Sequence, residues 1–471
     1  MKRAAVMLLV GLAGCASHRG IEPRGQLTDP AALQAEKSLE EPNASGEWPA
    51  LDWWKRYRDP QLDALVGEAL AGSPNLRLAQ ARLDQARAQA QVARASLKPQ
   101  ANAEASVHRQ RFSENYIFPP PIGGSSFTTT QLDLNASYDV DFWGRNRAAY
   151  EAAVGRARAA QAESFAARLV LSSSVASAYV QLARAYDQLD IARHTLEDRE
   201  RVQSLTSDRL RAGLDSRLEL KQVETSIPAA RARVVQIEEE IALARTQLAA
   251  LLGQGPDRGL AIERPVLRIS PVALPSRLPA DLLGRRPDIV AARTRAEAAA
   301  RDIASAKAAF YPDVNLSALI GVQSVTLSKL VETGSAIPSI GAAIRLPIFD
   351  AGRLRGALAA RNAEYDAAVE QYNQALADAL REVVDQLTSM RSVQRQRTEV
   401  DTAVAAAEEA YSLALTRYKA GIGNLLQVLT AETQVLEQRN LRTDLQSREL
   451  ALSINLIRAL GGGFDVQVAM Q

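Results

Sequence analysis

The chain repeats itself, and this limits its fold more than any other feature of the 471 residues. Pro74 and Pro99 bracket one Ala/Arg-rich segment, Pro287 and Pro312 bracket another, and each pair is 25 positions apart. Gly144 to Gly253 and Gly352 to Gly461 both span 109 positions. Within those spans, Arg209-Leu210-Arg211-Ala212-Gly213 returns as Arg417-Tyr418-Lys419-Ala420-Gly421, and Glu224-Thr225 returns as Glu432-Thr433. Asp141-Phe142-Trp143-Gly144-Arg145 matches Phe349-Asp350-Ala351-Gly352-Arg353 more loosely. Two consecutive copies, 61–253 and 287–461, imply two similar structural halves.

Each copy has the same internal order. A helix bounded by prolines opens it, at 75–98 and again at 288–311. Period-two segments follow: Leu132, Leu134, Ala136, Tyr138 and Val140 alternate with Asp133, Asn135, Ser137 and Asp139. Val314 to Val322, Ile340 to Ile348 and, more weakly, Ala101 to Val107 alternate in the same way, so each copy holds a strand hairpin, at 100–142 and 313–349. Long helices come next, 145–212 and 353–420, each 68 residues without an internal proline and about 100 Å long at 1.5 Å per residue. Return helices, 214–252 and 422–460, turn back at Gly213 and Gly421, and Pro228 is expected to kink the first. A Pro-rich connector, 254–286, separates the copies, and a tail, 462–471, pairs with it.

The N-terminus reads as an export signal, 1–14. Lys2 and Arg3 precede an apolar run from Ala4 to Ala13, too short to span a bilayer of roughly 30 Å. Leu12-Ala13-Gly14-Cys15 resembles the bacterial lipoprotein box, so cleavage before Cys15 and acylation of its thiol are expected, with residues 15–60 a lipid-anchored N-terminal segment. Ala16 fits the outer-membrane sorting type. Cys15 is the single cysteine, as suits an oxidising compartment. With only three histidines besides, a Cys/His metal cluster or a thiol–His catalytic pair is nearly excluded, and no phosphate loop or nucleophile–base set is recognisable. Lys and Arg exceed Asp and Glu by 56 against 54, a balance that argues against nucleic-acid binding. No cofactor and no metal are expected beyond the covalent lipid on Cys15.

A half-buried sheet in a soluble domain would give the same alternation. Long strands in an exported, lipid-anchored chain favour a membrane barrel with lipid outside and water inside. Four strands cannot close one, and open edges are not tolerated in lipid, so several chains must share it: three copies give twelve strands, four give sixteen. Phe112, Tyr116, Phe118, Phe127 and Phe142-Trp143 flank the first hairpin as aromatic girdles would. Trp48, Trp53, Trp54 and Tyr57 read as packing of the N-terminal segment.

Two stretches then carry a resemblance to a known family. Trp53-Trp54-Lys55-Arg56-Tyr57-Arg58-Asp59-Pro60-Gln61-Leu62 and Leu278-Pro279-Ala280-Asp281-Leu282-Leu283-Gly284-Arg285-Arg286-Pro287-Asp288 are similar to signatures of the outer membrane efflux proteins. The likeness is nearest to the lipoprotein subunits of tripartite resistance–nodulation–division pumps. It implies a mixed α and β trimeric channel-tunnel: a shared twelve-stranded outer-membrane barrel continued by a periplasmic helical barrel. It implies a passive exit duct for drugs or small toxic compounds, served by a periplasmic adaptor and an inner-membrane pump, and no enzyme. Gly213 and Gly421 match the tips that meet the adaptor. Tyr418 and Glu219 match the phenol and carboxylate that hold the resting pore closed, and Leu426, with Leu218 as its counterpart, matches an apolar ring. Thr430 and Gln222 stand where many members carry a pore aspartate, so an acidic ring is not expected and cation block should be weak. Only four methionines, Met1, Met7, Met390 and Met470, disfavour a soft-metal cargo. The competing reading is a lipid-anchored periplasmic coiled-coil adaptor.

Overall fold

The computed structural model describes residues 17–39, 47–115, 117–268 and 284–469. Cys15, Tyr116 and positions 278–283 of the second signature lie outside the described residues. The chain divides into two compact units, one formed by 1–27, 82–160 and 291–373, the other by 28–81, 161–290 and 374–471.

The first unit carries all four strands: β1 (Gln100–Arg111), β2 (Ser126–Val140), β3 (Asp313–Ser324) and β4 (Ser339–Arg345). They form one antiparallel sheet in the order β1-β2-β3-β4. The two hairpins are therefore zipped together by β2 and β3, with Leu134 opposite Ile320 and Asp139 opposite Asn315. One face presents exposed Leu132, Leu134, Leu316, Ile320, Ile340 and Ile344, as lipid contact requires. The other is polar and internally bonded. Gln131 and Asn135 donate to Asp133 (2.9 and 3.2 Å), and Asn315 donates to Asp139 (2.6 Å). β4 stops at Arg345 rather than continuing to 349, because Pro347 lacks the N–H a ladder needs. Phe112 packs edge-on against Phe118 and Phe127 at one end of the first hairpin. At the other end Trp143 stacks on Tyr311 at 4.6 Å and donates to the Pro312 carbonyl (3.0 Å).

The N-terminal residues of this unit lie along its helices. Ile21 packs with Ile303, Phe310, Leu354 and Leu358. The N–H groups of Arg24 and Gly25 donate to Asp366 at 2.8 and 2.7 Å. Arg355 donates to the Ser17 carbonyl at 2.5 Å, and Lys307 pairs with Glu22 at 3.1 Å.

The helices follow the repeat. The α-helices longer than four residues among the described residues are α1 (Pro60–Gly72), α2 (Pro74–Ala95), α3 (Arg145–Arg211), α4 (Arg217–Leu251), α5 (Pro287–Ala308), α6 (Arg353–Lys419) and α7 (Leu425–Ala459). α3 and α6 are 67 residues each, and α4 and α7 are 35 each, so the duplication holds to the residue. α2 and α5 end three residues before their expected limits, and α4 and α7 begin three residues after theirs. The later starts have a local cause: Ser216 and Asn424 are N-caps, and the residues before them form the reversals. α4 runs uninterrupted through Pro228.

The first signature explains itself in the second unit. Trp53, Trp54 and Tyr57 are buried in one cluster with Leu62, Leu65, Val175, Tyr179 and Ile454. Asp59 caps α1 by accepting from the Gln61 and Leu62 N–H groups. Its other oxygen accepts from the Tyr179 phenol and the Val266 N–H, both at 2.9 Å, so one carboxylate ties the connector to α1 and α3. Tyr57 shares a 2.6 Å hydrogen bond with Ser453 of α7, and burial pushes its phenol up to about 12. The second signature acts likewise. Arg286 forks onto Asp288, reaches Glu382 at 2.8 Å and donates to the Ala459 carbonyl at 3.2 Å. Arg285 pairs with Asp465 of the tail at 3.0 Å and lies over the Trp48 ring.

Candidate functional site

The two helix reversals of the second unit are built alike. Gly213 (φ +72°) and Gly421 (φ +77°) occupy the left-handed conformation that ends α3 and α6. The Leu214 N–H donates to the Arg209 carbonyl and the Ile422 N–H to the Arg417 carbonyl, while each glycine N–H bonds three residues back. These are paired Schellman caps. Beyond them Ser216 and Glu219 form a capping box, and Asn424 accepts from the Gln427 N–H at 3.0 Å.

Between the turns lies a polar cluster that the repeat does not duplicate. Tyr418 is fully buried and donates its phenol proton to Asp215 at 2.5 Å. Having given up its one proton, the phenol accepts from Thr206, 2.9 Å away. Arg209 grips Asp215 with Nε and Nη2, at 2.9 and 3.1 Å, and Nη1 donates to the Tyr418 carbonyl at 2.7 Å. The same guanidinium lies 4.4 Å from the centre of the Tyr418 ring. Val202, Val223, Leu425 and Val428 enclose the cluster. One buried arginine thus caps the end of α6, neutralises Asp215 and covers Tyr418.

The electrostatics follow from this packing. Burial pushes Asp215 up, but its bonds from Arg209 and Tyr418 outweigh that and hold its carboxyl below the usual range. Burial, and next the Asp215 carboxylate, raise the Tyr418 phenol. Asp215 also raises Arg209. The cluster is therefore a phenol, a carboxylate and a guanidinium in their most strongly bonding forms at neutral pH.

The expected partner of Tyr418 is corrected here. Glu219 does not bond Tyr418 in this structure. Its carboxylate accepts from the Ser216 N–H at 2.8 Å and bonds the Ser216 hydroxyl, committed to the start of its own helix. Asp215, Arg209 and Thr206 are the residues that sequence reasoning missed. Ser216 three residues before Glu219 was the available signal, because that spacing marks a capping box. Leu218 and Leu426 are 63% and 66% exposed, and Leu214 and Ile422 stand out beside the turns in the same way. A Cβ at Gly213 would meet nothing within 4 Å, and at Gly421 only the end of Arg209 at 4.0 Å, so both tips are open. Among the described residues no group of three or more His, Cys, Asp or Glu could hold a metal, and no described helix is long and apolar enough to cross a membrane.

Strands with a lipid-compatible face in the same chain as helices of 67 residues point to a class: an outer-membrane channel protein with a periplasmic helical extension. Both copies match the family described as outer membrane efflux protein, over residues 65–254 and 278–462, and the chain belongs to that family. The fusaric acid resistance protein FusA of Burkholderia cepacia is 42% identical over 366 residues, covering 76% of this chain and 69% of FusA. The multidrug resistance outer membrane protein MdtP of Escherichia coli (strain K12) is 31% identical over 462 residues, covering 96% of this chain and 94% of MdtP. The crystal structure of the outer membrane protein VceC from Vibrio cholerae aligns with a TM-score of 0.84 at 42% identity, over 89% of this chain and 100% of VceC. Family membership sets aside the coiled-coil adaptor reading. The chain is an outer-membrane efflux channel component that extends into the periplasm, a transport part of a non-enzymatic family.

Proposed function

We propose that three copies close one twelve-stranded barrel and form a passive exit duct whose periplasmic end is held shut by Tyr418, Asp215, Arg209 and Thr206. The outer edges of β1 and β4 have no neighbour within the described chain, and an open edge in lipid costs several kcal/mol per unpaired group. Further copies of the same sheet supply the missing neighbours. The duct carries drugs or small toxic organic compounds, a reading supported by the names of FusA, for fusaric acid resistance, and MdtP, for multidrug resistance. A periplasmic adaptor engages the open tips at Gly213 and Gly421, where the exposed Leu214 and Ile422 give it apolar purchase. An inner-membrane resistance–nodulation–division pump supplies energy, as the sequence shows no recognisable phosphate loop.

The latch is the observation that carries the gate. It joins α3 and the α3–α4 turn to α6 through buried, charge-assisted bonds, at the turns where α3 and α6 end. Leu218 and Leu426 line the entrance beyond it. Acylation of Cys15 adds an anchor. Ser17, two residues on, is held by Arg355, and His18 lies against Phe310 and Tyr311 where the strands begin, so the N-terminus is presented at the membrane end of its unit. Single-channel recording in planar bilayers, with trimer migration in detergent, tests the whole reading. A chain that forms heat-modifiable trimers yet never conducts, even with the latch removed, would refute it.

A further inference from the structure

Two of the apolar clusters of the second unit run along α3 and α4. The upper one reaches down to Ala192 of α3 and Ile237 of α4. The lower one begins at Val202 of α3 and Val223 of α4 and includes Tyr418. Between them stands Arg199. Its Nε donates to both oxygens of Glu432 of α7, at 3.2 and 3.3 Å, and its Nη1 donates to the Ser226 carbonyl of α4 at 2.9 Å. One side chain therefore ties three helices together in the gap.

Three further features mark the same level. Pro228 lies two residues from the bonded carbonyl, and α4 lacks there the backbone hydrogen bond that a proline cannot donate. Clefts of about 170 and 140 Å³ share Thr195 and Leu436 as lining at this level, with Arg199 lining the larger and Glu432 the smaller. Glu432 is 8% exposed, and burial raises its carboxyl even against the pull of Arg199. A buried pair whose desolvation offsets its attraction fixes geometry more than it adds stability.

We infer that Arg199 is the pin of a hinge: when the latch opens, α6 and the turns part below it, while α3, α4 and α7 stay joined at Arg199, Glu432 and Ser226. Resting on the gate reading above, this adds where opening stops. Above the pin, Arg184 and Gln188 both bond Asp444 of α7, at 2.7 and 3.1 Å, and that contact is not broken on opening.

Hydrogen exchange on the intact trimer in detergent tests the pin. In Asp215→Asn, amides of 200–226 and 412–431 should exchange about tenfold faster or more, while 184–197 and 436–450 keep wild-type rates. Adding Arg199→Met with Glu432→Gln, which leaves no lone buried charge, should carry the acceleration past residue 229 of α4 and residue 436 of α7. Acceleration along the whole seam with Arg199 intact overturns the hinge, and an unmoved boundary in the triple variant overturns Arg199 as its pin. If Asp215→Asn accelerates nothing, the gate reading fails. The pin is then judged on Arg199→Met with Glu432→Gln against the wild type, where unchanged exchange at 222–232 overturns it as well.

Discussion

Replacing Tyr418 by Phe removes one hydroxyl and almost nothing else. The ring stays under Arg209, and Arg209 keeps both contacts to Asp215, so the fold loses no buried ion pair. What disappears is the 2.5 Å donation to Asp215 and the acceptor for Thr206. A hydrogen bond to a charged group contributes about 1.5–3 kcal/mol net, and each 1.4 kcal/mol is roughly a factor of ten. The closed–open balance should therefore move by about ten- to a hundredfold for each latch, and the effects multiply when three latches release together. Purified Tyr418→Phe in planar bilayers should show raised resting conductance, and cells carrying it should become more sensitive to vancomycin. Glu219→Gln is the matching control. Glutamine keeps the capping box, and Glu219 does not touch Tyr418, so conductance should stay at the wild-type level. Unchanged conductance in Tyr418→Phe at normal trimer yield would refute the latch, and a leak in Glu219→Gln equal to that of Tyr418→Phe would return the role to Glu219.

The latch should also respond to acid. Asp215 is held below its ordinary value of 3.8, so its contribution is complete above that value and is lost as pH falls through the lower closed-state one. Resting conductance should be flat from about pH 8 to 5, rise below about pH 4, and lose that rise in Asp215→Asn. Asp59→Ala removes a helix cap and two further acceptor contacts, so thermal unfolding should report a loss of about 3 kcal/mol with single-channel conductance of surviving trimers unaltered. Substituting Gly213 or Gly421 with a bulky residue costs about 1 kcal/mol of left-handed strain but meets open space. Efflux should fall while trimer yield holds, and a parallel loss of both would leave only the helix-cap role. Radioactive palmitate should label the wild type, and label retained by Cys15→Ser would exclude acylation there.

Sequence periodicity was sufficient for the elements. Period two located all four strands, and the absence of proline predicted helices as long as α3 and α6. It could not show that β2 pairs with β3, because those strands lie 173 positions or more apart and nothing local records a lateral neighbour. The premature end of β4 was written in Pro347. The gate was half legible. The resemblance pairs Tyr418 with Glu219, whereas Asp215, which the phenol bonds, lies in the turn before that helix begins. Comparing the copies would have helped: at 208 positions' offset, Tyr418 faces Leu210, Asp215 faces Gly423 and Thr206 faces Ala414. Departures from the repeat, more than the repeat itself, pointed to the site.

Those same departures bear on symmetry. Six identical half-chains around one axis would have to carry both the phenol and its carboxylate in every copy. In the duplicated chain the first copy holds Asp215, Arg209 and Thr206 and the second holds Tyr418, so each copy carries one half of the contact. A threefold ring of this chain would then carry three such contacts rather than six.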